Sequence, residues 1–500
     1  MPAMTDTACD VWAPEAVRVL DRTATSAFGI SGYELMNRAA EAVCAAATTR
    51  WPEARRWVVL CGAGNNAGDG YVIARLARRA GRDVQVCALA DPAALAGDAA
   101  LAFLEFAGEG GGVQPFAPAV LADADLVIDA LLGIGLGRPV SGDFRAAIEA
   151  VNAAGRPVVA VDIPSGLDAT TGLPAGVAVR ADLTVTFVGR KLGLYLGEGP
   201  AYAGCIEFAA LGIPPAVVGR AGLAAGPPLR LFGAGDLVLQ LPRRPATAHK
   251  GLFGHVLVVG GNDGMSGAVR LAGEAALRAG AGLVTVATRP AHAALLPLVR
   301  PELMCHGIEG PADLAPLVAR ATVIAIGPGL GQDEWARGLL AAILEVPVPL
   351  VLDADALNLL AGSSRRRDDW ILTPHPGEAG RLLGRSSVDV QRDRLGTLAA
   401  LRERYAGTVV LKGHGTLVGG EGRAPWLIPT GNPGMATAGM GDVLTGVTAG
   451  LVAQTGAPGP DVAAAAAYVH GAAGDAAADA GQRGLIASDV LDRLRSCLNP

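Results

Sequence analysis

Two α/β domains, each on a mainly parallel sheet, are predicted by three observations. The chain has 500 residues, more than one ordinary domain holds. Short apolar runs alternate with alanine-rich amphipathic stretches through both halves, the pattern of strand–helix–strand units. Residues 213–244 are rich in Pro, Gly and Ala and carry no long periodic pattern. Domains are therefore expected over residues 1–212 and 245–500, with 213–244 as the linker.

Composition removes several function classes. The net charge of −6 makes nucleic acid a poor partner. Long apolar stretches are broken by Gly, Pro or charge, so no membrane span or membrane partner is expected. The N-terminus lacks a basic-then-apolar signal pattern. Seven scattered cysteines without a CxxC argue for a reducing, cytoplasmic location and against structural zinc. Only Lys191, Lys250 and Lys412 are lysine among 41 basic residues. In a chain that has drifted to arginine, lysine should persist where the planar guanidinium does not fit.

In the first half, residues 11–47 read as one or two amphipathic helices. Trp57–Cys61 is a buried strand, followed by the loop GAGNNAGDG (62–70), a helix over Tyr71–Arg79 and a strand over Val84–Leu89. Gly62, Gly64 and Ala67 nearly match the dinucleotide fingerprint, and Asn65, Asn66 and Asp69 add polar groups that an ordinary dinucleotide loop lacks. Leu126–Ile128 runs into Asp129, and Val158–Val161 runs into Asp162 and then Ser165. In a parallel sheet these strand ends share one crevice, so Asn66, Asp129, Asp162 and Ser165 are candidates to converge. Oxygen ligands suit Mg²⁺, Ca²⁺ or an alkali ion and disfavour zinc. The plainer alternative is that one or two of them cap the following helix. This half has no histidine, so proton transfer falls to carboxylates, Lys191, Tyr or Cys. Lys191 follows a strand over Leu183–Val188, where it either serves the site or is a solvated surface residue.

GAGNNAGDG, DALLGIGLGRPVSG, VDIPSGLDATTG and VTFVGRKLGL, taken together, resemble the NAD(P)H-hydrate epimerase family, a Rossmann-like fold, over roughly residues 11–212. The resemblance implies that Asn65, Asn66, Ala67, Gly68 and Asp69 line the hydrated dinucleotide. So do Gly133, Ile134, Gly135, Leu136, Gly137, Arg138 and Pro139, and Asp162. It implies that Asn66, Asp129 and Ser165 hold K⁺. Ala67 stands where the family usually has glycine. Asp162 and Lys191 are the candidate catalytic groups.

In the second half, strand Val256–Val259 leads into GGNDGMSG, Thr322–Ile326 into GPGLG (327–331), and Val348–Leu352 into Asp353-Ala354-Asp355. Ile371–Leu372 leads into TPHPGE (373–378) and Thr408–Leu411 into KGHGT (412–416). The series closes on NPGMATAGMGDVLTG (432–446). There Asp442 follows a glycine turn and opens an apolar helical run. Such a helix start attracts phosphate, and an aspartate beside it is placed to take a proton from a hydroxyl. No GxxxxGK[ST] occurs, which excludes a P-loop enzyme.

This ordered set resembles the ribokinase-like superfamily and, within it, the ADP/ATP-dependent NAD(P)H-hydrate dehydratase family over roughly residues 245–495. His375-Pro376-Gly377-Glu378 replaces the NxxE of sugar kinases. The resemblance implies that Ala268, one of Gly329 and Gly331, His375 and Asp442 contact the hydrated dinucleotide. Lys412, Gly413, His414, Gly415, Thr416 and Gly441 would hold the adenine nucleotide, with Asp442 catalytic and ADP and Mg²⁺ as co-substrate and cofactor. The implied function is repair of NADHX and NADPHX. R and S hydrates are epimerised in the first half, and the S form is dehydrated in the second. A homo-oligomer is expected, with the leading helices packing between subunits. Two competing functions are a small-molecule kinase with a regulatory binding module, and a non-catalytic first half acting as a dimerisation or RNA-binding platform.

Overall fold

A computed structural model describes residues 10–499, which form two compact units dividing between Leu229 and Arg230. Both are α/β with parallel sheets, as expected.

The N-terminal unit contains β1 (Asp10–Trp12), β2 (Arg56–Cys61), β3 (Asp83–Ala88), β4 (Val113–Pro115), β5 (Leu126–Ala130), β6 (Val158–Val161), β7 (Leu183–Phe187), β8 (Arg190–Lys191) and β9 (Cys205–Ala209). The order β4-β3-β2-β5-β6-β7-β9 is parallel throughout. Outside that order, β1 pairs in parallel with β8, setting Trp12 against Lys191. The two leading helices are Pro14–Phe28 and Gly32–Arg50; Ser31 caps the second by accepting from the Glu34 amide. They cover one face of the sheet, with Leu20, Val43, Trp57 and Ile73 in its core. The other face buries Leu60, Val127 and Ile148. β5 and β6 are buried along their whole length, as strands covered on both faces must be.

Residues 213–244 hold a helix (Ala216–Ala221), a strand (Leu229–Leu231) and a second helix (Ala234–Gln240). These elements are too short for periodicity to reveal, and Phe232 and Leu237 are buried in the core of the C-terminal unit.

The C-terminal unit contains β10 (Leu229–Leu231), β11 (His255–Val259), β12 (Leu283–Thr288), β13 (Met304–Gly307), β14 (Val323–Ile326), β15 (Leu350–Leu352), β16 (Trp370–Leu372), β17 (Thr408–Leu411), β18 (Thr416–Gly419) and β19 (Trp426–Ile428). The order is β13-β12-β11-β14-β15-β16-β17-β18-β19-β10. Pairs are parallel except at β17–β18 and β18–β19, where the chain reverses directly. Helix Met440–Thr455 crosses helix Ser266–Ala279 closely. A Cβ on Gly446 would lie 2.0 Å from the Ala272 carbonyl oxygen. This packing anchors the helix that carries Asp442.

Candidate active sites

In the N-terminal unit the chain adds β3 and β4 on one side of β2, then returns to add β5 on the other. The crevice between β2 and β5 is the switch point where parallel sheets bind ligands. A Cβ on Gly62 would lie 1.9 Å from the Leu131 carbonyl oxygen, so only glycine lets these strand ends meet.

The next helix starts at Asn65, not at Tyr71 as expected, with Gly64 (φ 80°) as its N-cap. Asn65–Asp69 are thus the opening of a helix rather than a loop, because the left-handed Gly64 turns the chain immediately into helical geometry. The first amides of that helix have no intrahelical acceptor and face the crevice end of β2, which suits a pyrophosphate.

Asp129 ends β5 fully buried. Its Oδ1 accepts from the Ser165 hydroxyl at 2.6 Å and the Leu131 amide at 3.3 Å; Oδ2 accepts from the Ser165 amide at 2.8 Å. Burial pushes this carboxyl up to about 6 despite those bonds. Asn66 is buried with its Nδ2 unpartnered, and its Cγ would lie 3.6 Å from a Cβ on Gly133. The Asp129 carboxylate, the Ser165 hydroxyl and the side-chain oxygen of Asn66 are an all-oxygen set that fits K⁺ and gives zinc no thiolate or imidazole; the unpartnered Nδ2 is a donor and takes no part in it. The Gly133–Pro139 stretch leaves β5 as irregular chain, and Arg18 donates to the Ile134 carbonyl at 2.9 Å.

Asp162 stands at the end of β6 with φ 70°, a left-handed conformation that aspartate adopts more readily than most residues. Its Oδ1 accepts from Lys191 Nζ and from the Phe187 amide at 3.1 Å. Lys191 is not a solvated surface residue. It is 1% exposed and also donates to Thr186 Oγ1 at 3.1 Å and the Phe187 carbonyl at 2.8 Å. Strand β8, absent from the sequence expectation, puts it there by pairing with β1. Asp69 is raised well above the carboxylate range by burial, with Asp162 and Asp21 adding repulsion.

In the C-terminal unit the switch point lies between β11 and β14. Ala268 meets the GPGLG loop there: a Cβ on Gly329 would lie 3.1 Å from that of Ala268, whereas Gly331 faces Asn262 and its amide donates to Asp355 at 2.8 Å. Gly329 is thus the glycine brought to Ala268. Asn262 ties its own loop to this one, with its amide donating to the Gly329 carbonyl at 2.7 Å.

Asp442 sits in the first turn of helix Met440–Thr455, behind Gly439 (φ 89°). Burial pushes it up to about 7, with Asp353 and Asp355 adding to the shift and Lys412 opposing it. A Cβ on Gly441 would lie 3.2 Å from Asp353 Oδ2 and 3.4 Å from Lys412 Nζ, so the helix start rests on that ion pair. Lys412 Nζ is 2.6 Å from Asp353 Oδ1 and 3.7 Å from Glu378 Oε2. Burial alone would lower Lys412; Asp353, Glu378 and Asp442 outweigh it and leave it raised.

His375 caps helix Pro376–Leu383. Its Nδ1 accepts from the Gly377 amide at 3.0 Å, while its Nε2 lies 3.3 Å from Glu378 Oε1. The side chain is half exposed, so the capping role leaves a face open to a ligand. Gly413, His414 and Gly415 form the bend between β17 and β18. Buried Arg394 donates to the Leu411 carbonyl at 3.0 Å and that of Gly415 at 3.3 Å, and Thr416 Oγ1 donates to the Gly413 carbonyl at 2.8 Å. Burial and Arg394 hold the His414 imidazole low.

Sequence reasoning missed Asp353, Thr445, Arg394 and Thr186 as site residues. Asp353 did carry a signal: it ends a buried strand, as Asp129 and Asp162 do. Thr445 and Arg394 carried none. Lys191 is buried and Lys412 half-buried, each beside a carboxylate, as expected of retained lysines, whereas Lys250 is exposed.

Each half of the chain is similar to known proteins. A family model described as NAD(P)H-hydrate dehydratase matches residues 256–495, and one described as YjeF-related protein N-terminus matches residues 32–193. The bifunctional NAD(P)H-hydrate repair enzyme of Coxiella burnetii is 48% identical over 97% of this chain and 98% of its own length. The Escherichia coli enzyme of the same description is 43% identical over 98% of this chain and 94% of its own. A ribokinase-like superfamily protein of Enterococcus faecalis superposes with a TM-score of 0.50 at 32% identity, covering 54% of this chain and 95% of that one. With two crevices of the kinds described and relatives this similar over nearly the full length, the chain belongs to the family of bifunctional NAD(P)H-hydrate repair enzymes.

Proposed function

We propose that residues 1–212 interconvert the R and S hydrates of NADH and NADPH and that residues 245–500 dehydrate the S form with ADP. The observation that carries this is Asp442, raised to about 7 at the start of a helix whose first turn rests on Lys412 and Asp353. A carboxylate of that basicity is matched to removing a hydroxyl proton near neutral pH.

The hydrate carries a hydroxyl on C6 of the nicotinamide ring, next to N1. Asp442 takes the proton of that hydroxyl as its oxygen accepts the β-phosphoryl group of ADP, and AMP leaves. The N1 lone pair then expels phosphate, and loss of a C5 proton restores the dihydropyridine. Lys412 and the first amides of helix Met440–Thr455 offset phosphate charge. Mg²⁺ brought with the nucleotide would supply further positive charge there. Among the described residues no cluster of three His, Cys, Asp or Glu side chains is arranged to hold a metal, and Asp353 and Glu378 are engaged by Lys412.

In the N-terminal unit C6 is a hemiaminal carbon, and its configuration is lost when the ring opens. Asp162, paired with Lys191, takes the hydroxyl proton as the C6–N1 bond breaks, and Asp69, its carboxyl pushed up by burial, gives a proton to N1; both steps reverse when the ring closes. Asn66, Asp129 and Ser165 would hold K⁺, which supplies a fixed positive charge.

No helix of the described residues is long and apolar enough to cross a membrane. The free cysteines support a cytoplasmic protein, and exposed Phe28, Leu101 and Leu104 on the N-terminal unit support a homo-oligomer.

The test is absorbance in the reduced-nicotinamide band after the protein and ADP–Mg²⁺ are added to mixed hydrates. Full recovery is expected. Recovery that stops at the S fraction would remove the epimerase; a released phosphorylated alcohol without NADH would make the C-terminal unit a kinase.

A further inference from the structure

We infer that Asp353 is a positioning residue for dehydration, a buried carboxylate that fixes the helix carrying Asp442 and competes with Asp442 for Lys412. The inference rests on Asp442 being the base.

Asp353 is 1% exposed at the carboxyl end of β15 and joins four elements. Its Oδ1 accepts from Lys412 Nζ at 2.6 Å, just after β17, and from Thr373 Oγ1 at 2.8 Å, just after β16. Its Oδ2 accepts from Thr445 Oγ1 at 2.9 Å. Thr445 lies three residues beyond Asp442 on the same helix, so it shares a face with it. One carboxylate thereby fixes the Asp442 helix against three strand ends. The next residue, Ala354, has φ 48°, a backbone conformation that an L-residue rarely adopts. That turn sends Asp353 inward while Asp355 reaches the Gly331 amide.

The charges in this knot do not balance. Lys412 faces Asp353 and Glu378 and feels Asp442, one ammonium against three carboxylates. Asp353 and Glu378 are the closer partners, so Asp442 is the group left short of a cation. His375 stands over Glu378, and Asp355 adds to the field on Asp442. His470, on helix Pro460–Ala477, is held down to about 4 by burial and by Lys412, so it is neutral over the working range and cannot make up the deficit. With Asp353 neutral, Lys412 would pull harder on Asp442 and make it a weaker base.

The experiment uses the full-length chain with the S hydrate and ADP–Mg²⁺, and epimerisation of the R hydrate as an internal control. Asp353→Asn should move the acid limb of the dehydration pH profile down by about one unit. It should cut kcat about tenfold, with KM for ADP little changed. Thr445→Val should lower kcat several-fold at an unmoved limb, with Thr445→Ser restoring it. If Asp353→Asn leaves the limb in place, or the Thr445 pair changes only melting temperature, the inference fails. Should Asp353→Asn not fold, the Thr445 pair decides alone. Asp442→Asn separates the two levels: if it still dehydrates, the assignment of the base is wrong, whatever Asp353 does.

Discussion

Each unit pairs a lysine with a carboxylate at the carboxyl end of its sheet, and the two lysines meet different company. Lys191 is paired with Asp162, while a hydroxyl and a carbonyl take its remaining hydrogen bonds. Lys412 is shared between Asp353 and Glu378 with Asp442 close by. The first is a one-to-one pair. In the second, burial above all, with Asp353 adding to it against a lysine outnumbered three to one, raises Asp442 to about 7. The chemistry assigned to each side follows that difference. Opening a hemiaminal needs a modest base, whereas phosphoryl transfer needs a base tuned to a hydroxyl and a place for a charged nucleotide.

The contrast between the units is greatest at the two aspartates. Asp442→Asn should reduce dehydration by about 10²–10⁴-fold, the range for loss of a general base, and leave epimerisation untouched. Stopped assays on separate R and S hydrates measure both; equal loss of the two would show that the sites are not distinct.

The next largest effect concerns Lys191. Removing one partner of a buried ion pair strands the other charge, so Lys191→Met should cost about 3 kcal/mol. A thermal melt of the full chain should show an early transition, with epimerase activity lost and dehydration of the S hydrate retained at low temperature. An unchanged melt would mean that Asp162 is better solvated than its neighbours indicate.

A smaller effect tests the metal assignment. Replacing K⁺ with a bulky organic cation should slow epimerisation and spare dehydration. Ser165→Ala should raise the K⁺ concentration needed for half-activity about tenfold, the cost of one lost ligand beside buried Asp129. The same K⁺ dependence in wild type and variant would move the ion elsewhere.

Strand ends and glycine turns announce themselves locally, which is why Asp129, Asp162, Lys412 and Asp442 are all legible in the amino-acid sequence. Apolar runs of four or five residues bounded by glycine locate most strands to within a residue or two. Strand β8 is invisible there because its two residues pair with a strand that precedes both leading helices. The true start of the Asn65 helix is hidden because glycine and asparagine read as loop, while φ 80° at Gly64 makes them a helix start.

Periodicity and turn residues act over short range, so the order of amino acids is enough to specify the architecture, the sequence of motifs and the groups able to do chemistry. Which of those groups face one another is settled only when the chain packs. Packing buries Lys191 on Asp162, brings Gly329 to Ala268, and makes Thr445 and Lys412 converge on Asp353 from residues far apart in the chain. Burial and charge balance are properties of that convergence, and they raise the Asp442 carboxyl to about 7.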